Sequence, residues 1–236
     1  MPAPLDAAFD ALKTYDQGSS RATLLPIDEA VVAALPDDAA RLTLERRLLA
    51  ALTPDGSVVA HEFLCNKLTL VSSELSLPAL AALLDRPALT TAARNALEAS
   101  PHPLASQVLR ERLPHLTGLA QIGAIQSLGV RRAGASVSAL AALLAAPAPE
   151  ISRAAGTALG EIGTPAAAQA LRDFQPHAPG ALHAALADAC LVCAERLGAA
   201  GQRAEAQSLY RILAIPTQPK HVQQAAARGL AAAQKP

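Results

Sequence analysis

The chain has 236 residues, of which 51% are hydrophobic, but only 2% are aromatic and none is tryptophan. Aromatic side chains normally dominate the buried area of a globular core, so this composition predicts a thin core of alanine and leucine, residues that also favour helix. The 20 basic and 20 acidic residues balance, which excludes a basic nucleic-acid-binding footprint at the level of the whole chain. The apolar runs are too short, and too often broken by charges or proline, for a membrane span of about 18 residues.

The N-terminal part of the chain predicts an irregular helical cap over residues 1–54. Helices are expected over 5–15, 27–35 and 37–52, and Asp37 or Asp38 is the N-cap of the third. The next helix, over 55–71, is the first that belongs to a repeated stack, with Phe63, Leu64 and Leu68 facing inward. We therefore expect the repeats to begin at about residue 55.

The middle of the chain repeats itself. The sequence Ala-Leu-Ala-Ala-Leu-Leu occurs at 79–84 and again at 139–144. Small and aliphatic residues also recur every 31 residues or so, at relative positions 0, 3, 4, 7 and 8, which is the spacing of one helix face. The columns are Leu89, Ala120, Ile151 and Leu182; Ala92, Gly123, Ala154 and Ala185; Ala93, Ala124, Ala155 and Leu186; Ala96, Ser127, Ala158 and Ala189; and Leu97, Leu128, Leu159 and Cys190.

A second column marks the partner helix of each repeat. Leu80 leads it, and Leu109, Leu140 and Leu171 follow. Proline lies between the two helices of a pair, and glycines such as Gly129, Gly160 and Gly198 lie near the ends of the second helices, where they fit helix termination. Each repeat is thus predicted to be a pair of antiparallel helices.

The C-terminal part predicts a long helix over 181–197 and then a capping pair over 202–213 and 220–233. Terminal repeats of a stack differ from internal ones because their outer faces meet water. We therefore predict one domain over 1–236, with a cap over 1–54, repeats over 55–198 and a capping helix pair over 199–236.

The segment 149–165, Pro-Glu-Ile-Ser-Arg-Ala-Ala-Gly-Thr-Ala-Leu-Gly-Glu-Ile-Gly-Thr-Pro, resembles the HEAT-like repeat consensus, which has Ala-Ala and then Ala-Leu-Gly-x-Ile-Gly in its second helix. The match weakens at 124–129 and again at 92–98. The whole chain is also similar to uncharacterised bacterial HEAT-repeat proteins. The resemblance implies an all-α fold, an α-solenoid in which helix pairs form a right-handed superhelix. It also implies that the second helices line the concave side.

Several residues invite a chemical role. Cys190 and Cys193 form a CxxC, but Cys190 occupies the leucine column, so we interpret both as buried packing residues. His61-Glu62 is similar to the His-Glu dipeptides through which the HEAT-like deoxyhypusine hydroxylase binds iron, but one dipeptide cannot hold a di-iron centre. The other histidines, which have no glutamate beside them, are His102, His115, His177, His183 and His221. We predict no metal, no cofactor and no catalytic residue.

A row of polar residues lies two positions before the leucine column: Asn95, Gln126, Thr157 and Asp188. We take this row, with the nearby Arg94 and Arg153, as a candidate surface for a peptide or a protein edge; an ordinary solvated helix face is the alternative. A solenoid of this kind predicts a non-enzymatic protein–protein interaction scaffold with a protein or peptide partner.

Two other functions remain open at this point. One is an enzyme or enzyme subunit of HEAT-like type, a lyase or a metal hydroxylase; the other is an accessory domain of a larger protein. Neither nucleic acid nor membrane insertion is expected. A cytoplasmic location is the default, because residues 1–6 have no signal-peptide features. A chain already trimmed of its signal would have the same sequence.

Overall fold

The computed structural model describes residues 3–233, which contain α-helices, short 3-10 turns and no strand. The helices are α1 (Pro4–Leu12), α2 (Leu25–Ala34), α3 (Asp38–Ala51), α4 (Val58–Val71), α5 (Leu77–Leu84), α6 (Thr90–Ala99), α7 (Leu104–Arg112), α8 (Gly118–Val130), α9 (Val137–Ala142), α10 (Pro149–Ile162), α11 (Pro165–Phe174), α12 (Gly180–Ala199), α13 (Arg203–Leu213) and α14 (Lys220–Ala233). The 3-10 turns are Arg21–Leu24, Glu74–Ser76, Leu113–His115, Gly134–Ser136, Leu143–Ala145 and Gln175–His177. None of these helices is long and apolar enough to cross a membrane.

The chain divides into two compact units, Met1–Leu116 and Thr117–Pro236. In the first unit, α1 to α3 pack in sequence, and α3 and α4 form a helix pair. The pair of α5 and α6 follows, with α4 against α6 in one layer and α5 against α7 in the other. This unit therefore has the two-layer arrangement of first and second helices that the repeat pattern predicted.

The second unit has the same two layers. The second helices α8, α10, α12 and α14 pack side by side, and the first helices α9, α11 and α13 form the other layer. The prediction of an all-α fold of solenoid type, built from stacked helix pairs, is confirmed.

The five predicted core columns differ in burial. Every residue at relative positions 4, 7 and 8 is buried, including Ser127 and Cys190. At positions 0 and 3 only Leu89, Ile151 and Ala154 are buried, and the other residues are half-buried. The apolar face of each second helix is therefore narrower than the sequence pattern indicated.

The three helices predicted within residues 5–52 are all present, and the bounds of the first helix and of the repeat helix that follows them differ from the prediction. Asp37 is the N-cap of α3, and its carboxylate accepts hydrogen bonds from the N–H groups of Ala39 (2.8 Å) and Ala40 (3.2 Å). The first helix, predicted to reach residue 15, ends at Leu12. The repeat helix predicted from residue 55 begins at Val58, because Ser57 caps it by accepting a hydrogen bond from the Ala60 N–H.

Two glycines have a different role from the one that the sequence indicated. Gly129 and Gly160 lie inside α8 and α10 and do not end them. A Cβ at Gly129 would lie 2.9 Å from Ala158 Cα, and one at Gly160 would lie 2.7 Å from the Ala189 carbonyl oxygen. These glycines allow neighbouring second helices to approach closely, whereas Gly163, at φ 61°, is the left-handed residue that ends α10.

Candidate interaction surface on the second helices

In the first unit, a polar groove of about 220 Å³ lies on the surface between the packed helices α4 and α6. Asn66 on α4 and Asn95 on α6 both line it. Each asparagine lies two residues before a fully buried leucine, Leu68 or Leu97, so the packing of that leucine fixes which way the asparagine side faces. The two exposed amides therefore stand at equivalent positions of neighbouring repeats.

The rest of the groove wall carries a carboxylate and hydroxyl groups. Glu62 and Thr69 lie on the same face of α4 as Asn66, at i−4 and i+3. Thr91 lies one turn before Asn95 on α6. Glu62, Thr69 and Thr91 all offer hydrogen-bonding groups to the groove, and Glu62 adds one negative charge.

In the second unit, the predicted row consists of Gln126, Thr157 and Asp188. They lie on α8, α10 and α12, which are adjacent helices, and all three residues are exposed. Each is followed by two buried residues that pack against the neighbouring helices. The repeat thus places one polar side chain per second helix on the outer face of that layer.

The two arginines of the predicted surface differ. Arg153 is exposed on α10, one turn before Thr157. Arg94 is half-buried and forms an ion pair with Glu98 at 3.3 Å, with 19% of its side chain exposed. Arg153 is therefore the more accessible cation of the two. Glu161, one turn after Thr157, is paired with Arg196.

Four polar groove residues were missed in the sequence. Glu62, Asn66, Thr69 and Thr91 do not belong to the predicted row, although Asn66 lies 29 residues before Asn95. Glu62 was considered only as part of the His61-Glu62 dipeptide. The position of Asn66 two residues before the inward-facing Leu68 was the signal that could have found it. Thr69 and Thr91 carry no such signal, because only the pairing of α4 with α6 brings them together.

A sequence model of HEAT repeats matches residues 116–189. This part of the chain therefore contains HEAT repeats. The matched segment runs from the end of the first unit into α12 and includes α8 and α10, where the repeat columns are most regular. The resemblance stated from the sequence is thus confirmed.

In the solved complex of CpcE and CpcF of phycocyanin lyase from Nostoc sp. PCC7120, one chain is 18% identical, with 98% of this chain and 96% of that chain covered and a TM-score of 0.45. No curated protein matches this chain.

The three cysteines of the chain are free thiols, and all three are buried. Burial raises the pKa of Cys65 to about 12, and the charge of Glu62 adds to the shift. Burial also raises the pKa of Cys193 to about 12, against the opposing charge of Arg196, and raises that of Cys190 further. Both CxxC residues therefore pack as thiols in the core of α12, as the leucine column predicted.

The histidines of the chain have different surroundings. His61 is buried in α4, and its Nε2 donates to the Thr53 carbonyl oxygen at 2.9 Å. His183 contacts the Gln175 amide at 3.2 Å, whereas His177 is exposed. Within residues 3–233, no three His, Cys, Asp or Glu residues are grouped so that they could hold a metal ion.

Proposed function

We propose that this protein is a non-enzymatic interaction scaffold that binds an extended peptide segment of another protein along its second helices. The observation that carries the proposal is the pair of exposed amides, Asn66 and Asn95, that line one groove. A carboxamide has both a donor and an acceptor. It can therefore pair with the N–H and C=O of a peptide main chain, whatever the side chains of the peptide are.

The spacing of the helices supports an extended ligand. Packed helices lie roughly 8–10 Å apart, and an extended chain rises about 3.3 Å per residue. One amide per second helix therefore meets about every third residue of a peptide that crosses the layer. The side chains between these contacts remain available for specificity.

The charge in the groove favours a particular kind of peptide. Glu62 lies one turn before Asn66 and is exposed. A lysine or arginine next to the main-chain contacts would place its cation near this carboxylate, which adds to the on-rate more than to the affinity. We therefore expect selected peptides to carry a basic residue at the Glu62 end.

The row in the second unit is proposed to act in the same way. Gln126 offers an amide, Thr157 a hydroxyl and Asp188 a carboxylate, and Arg153 adds a cation beside them. These residues carry both signs of charge, so they suit hydrogen bonds to a peptide main chain and do not select peptide side chains of one charge. Replacing Asn95, Gln126 and Asp188 together by alanine should reduce partner binding and leave the melting temperature nearly unchanged, because all three are exposed.

The test is a selection of random 12-residue peptides displayed on phage against the purified protein. Peptides that use the groove will be enriched on the wild type and lost on the double variant Asn66→Ala/Asn95→Ala. The matched control is Gln107→Ala/Gln169→Ala, which removes two exposed amides from the first helices α7 and α11. Equal enrichment on all three proteins, or none above an empty support, would contradict the proposal.

A further inference from the structure

A second concavity lies in the first unit, at the end of α4. It has a volume of about 410 Å³, and its walls are the start of α3, the end of α4 with the loop that follows, and the segment 101–103. This volume is within the range of sites that take a drug-sized ligand or a large side chain. The concavity shares no residue with the polar groove.

Exposed apolar groups line this cavity. Leu70 is 52% exposed, Leu42 is half-buried, and Pro101 and Pro103 are exposed. A leucine that is half exposed inside a concave surface has lost part of its hydration without gaining packing contacts. An apolar ligand atom placed here would be removed from water on several sides at once.

The loop that forms one wall is held by a buried carboxylate. Glu45 on α3 is fully buried, and it accepts hydrogen bonds from the Ser73 N–H at 2.7 Å and from the Ser73 hydroxyl at 2.6 Å. It also accepts a hydrogen bond from the Ser76 hydroxyl. These bonds tie the loop after α4 to α3, so the cavity is already formed and a ligand need not order its wall.

The charges at the cavity disfavour an anion. Arg41 is paired with Asp38, and the His102 Nε2 lies 3.6 Å from a Glu74 carboxylate oxygen. Arg41 and His102 thus each have a carboxylate beside them, and Glu45 adds another in the cavity wall. A neutral apolar group is therefore preferred to a carboxylate or a phosphate.

The cavity adjoins the groove along α4. Thr69 lines the groove and the next residue, Leu70, lines the cavity. Leu70 also lies one helical turn, about 6 Å, beyond Asn66. A peptide whose main chain contacts Asn66 therefore has a side chain within reach of Leu70.

We propose that this cavity is an anchor site for one large aliphatic side chain, of leucine size, on the peptide that occupies the groove. The inference rests on the proposed function for the peptide that delivers the side chain. The presence of the cavity does not depend on the proposed function, because its volume and lining are features of the structure. Main-chain contacts at Asn66 and Asn95 accept any sequence, whereas the anchor selects a large aliphatic side chain, in addition to the basic residue expected beside Glu62.

The test is a two-dimensional ¹H–¹⁵N NMR titration with single-residue peptide mimics. N-acetyl-L-leucine N-methylamide should shift the amide signals of Leu42, Leu70 and Val71. It should bind about tenfold more tightly than N-acetylglycine N-methylamide. N-acetyl-L-leucine with a free carboxylate should bind more weakly than the amide, because of the carboxylates around the cavity.

Two variants complete the test. Leu70→Ser should weaken binding of the leucine compound about tenfold. Leu25→Ser, which changes a leucine that is 50% exposed on α2, should leave it unchanged. The spectrum of each variant also reports whether it is folded.

Three results would overturn the anchor site: equal shifts with the glycine and leucine compounds, tighter binding of the carboxylate, or unchanged binding to Leu70→Ser. If any of these occurs while selected peptides still depend on Asn66 and Asn95, the anchor site is refuted and peptide binding in the groove is supported. If the leucine compound binds as expected but peptide enrichment does not depend on Asn66 and Asn95, the proposed function is refuted, and the cavity is a binding site independent of the groove.

Discussion

The close packing of the second helices predicts that Gly160→Ala destabilises the second unit. The added Cβ would lie 2.7 Å from the Ala189 carbonyl oxygen and 3.2 Å from Ala189 Cα, well inside the 3.5–4.0 Å at which nonbonded carbon atoms attract. The obstructing atoms belong to the backbone of α12, so no side chain can rotate away and α10 and α12 must separate. Overpacking of this kind costs about 1–3 kcal/mol.

The helix propensity of alanine offsets part of this cost. Replacing glycine by alanine inside a helix gains about 0.5–1 kcal/mol. Because the clash is with backbone, we expect the upper part of the overpacking range and a net loss of about 1–2 kcal/mol. For a unit of this size, that lowers the melting temperature by roughly 3–10 °C.

Thermal unfolding followed by far-ultraviolet circular dichroism measures this effect. The matched control is Gly198→Ala in α12, where an added Cβ meets no atom within 4 Å. That variant keeps the gain in propensity without the clash, so it should be as stable as the wild type or more stable by up to about 1 kcal/mol. If Gly160→Ala melts no lower than Gly198→Ala, the explanation of the glycines as close-approach residues is wrong.

Three other predictions concern buried or paired titratable groups. Burial lowers the pKa of His61, helped by the charge of Arg86 and opposed by its backbone hydrogen bonds. The unfolded chain therefore takes up this proton first, and stability is lost as the pH falls below about 6.5, the unfolded value. Urea midpoints at about pH 7.5 and about pH 5.5 should differ less for His61→Gln than for the wild type; an equal difference would refute the assignment. Burial tends to raise the pKa of Asp28, but its hydrogen bonds and ion pairs with Lys67 and Arg21 outweigh burial and lower it. This contribution to stability is present above about pH 3.9 and is lost as the pH falls through the lower folded value, so Asp28→Asn should flatten the acid limb of the stability curve. The three cysteine thiols, with pKa values raised to about 12 or beyond, should resist a thiol-reactive disulfide reagent in the native protein and react at once in guanidinium. Rapid labelling of any native thiol would contradict their burial.

The repeated part of the fold was predictable because it is local. The spacing of residues such as Leu97 and Leu128 within each helix marks the buried face without knowledge of the partner helix. The Asp37 N-cap is likewise set by its own helix. The residues at relative positions 0 and 3 were predicted less well, because their burial depends on how far the next repeat extends over them.

The surface was less predictable because it depends on pairs of helices. Asn95 was identified from its column, but the groove exists only where α4 packs against α6. The cavity at the end of α4 was not predicted from the sequence. Its wall depends on Glu45 bonding to serines 28 and 31 residues away, and a lone glutamate in a helix is ordinarily interpreted as a solvated residue.

The most direct test of the account is the affinity of one phage-selected peptide for the wild type and for Asn66→Ala/Asn95→Ala, measured by isothermal titration calorimetry. Each lost amide contact is worth about 0.5–1.5 kcal/mol, so the double variant should bind roughly 5- to 150-fold more weakly. The melting temperature should change little, since both side chains are exposed. An unchanged dissociation constant for the folded double variant would contradict the central claim that the second helices form the binding surface.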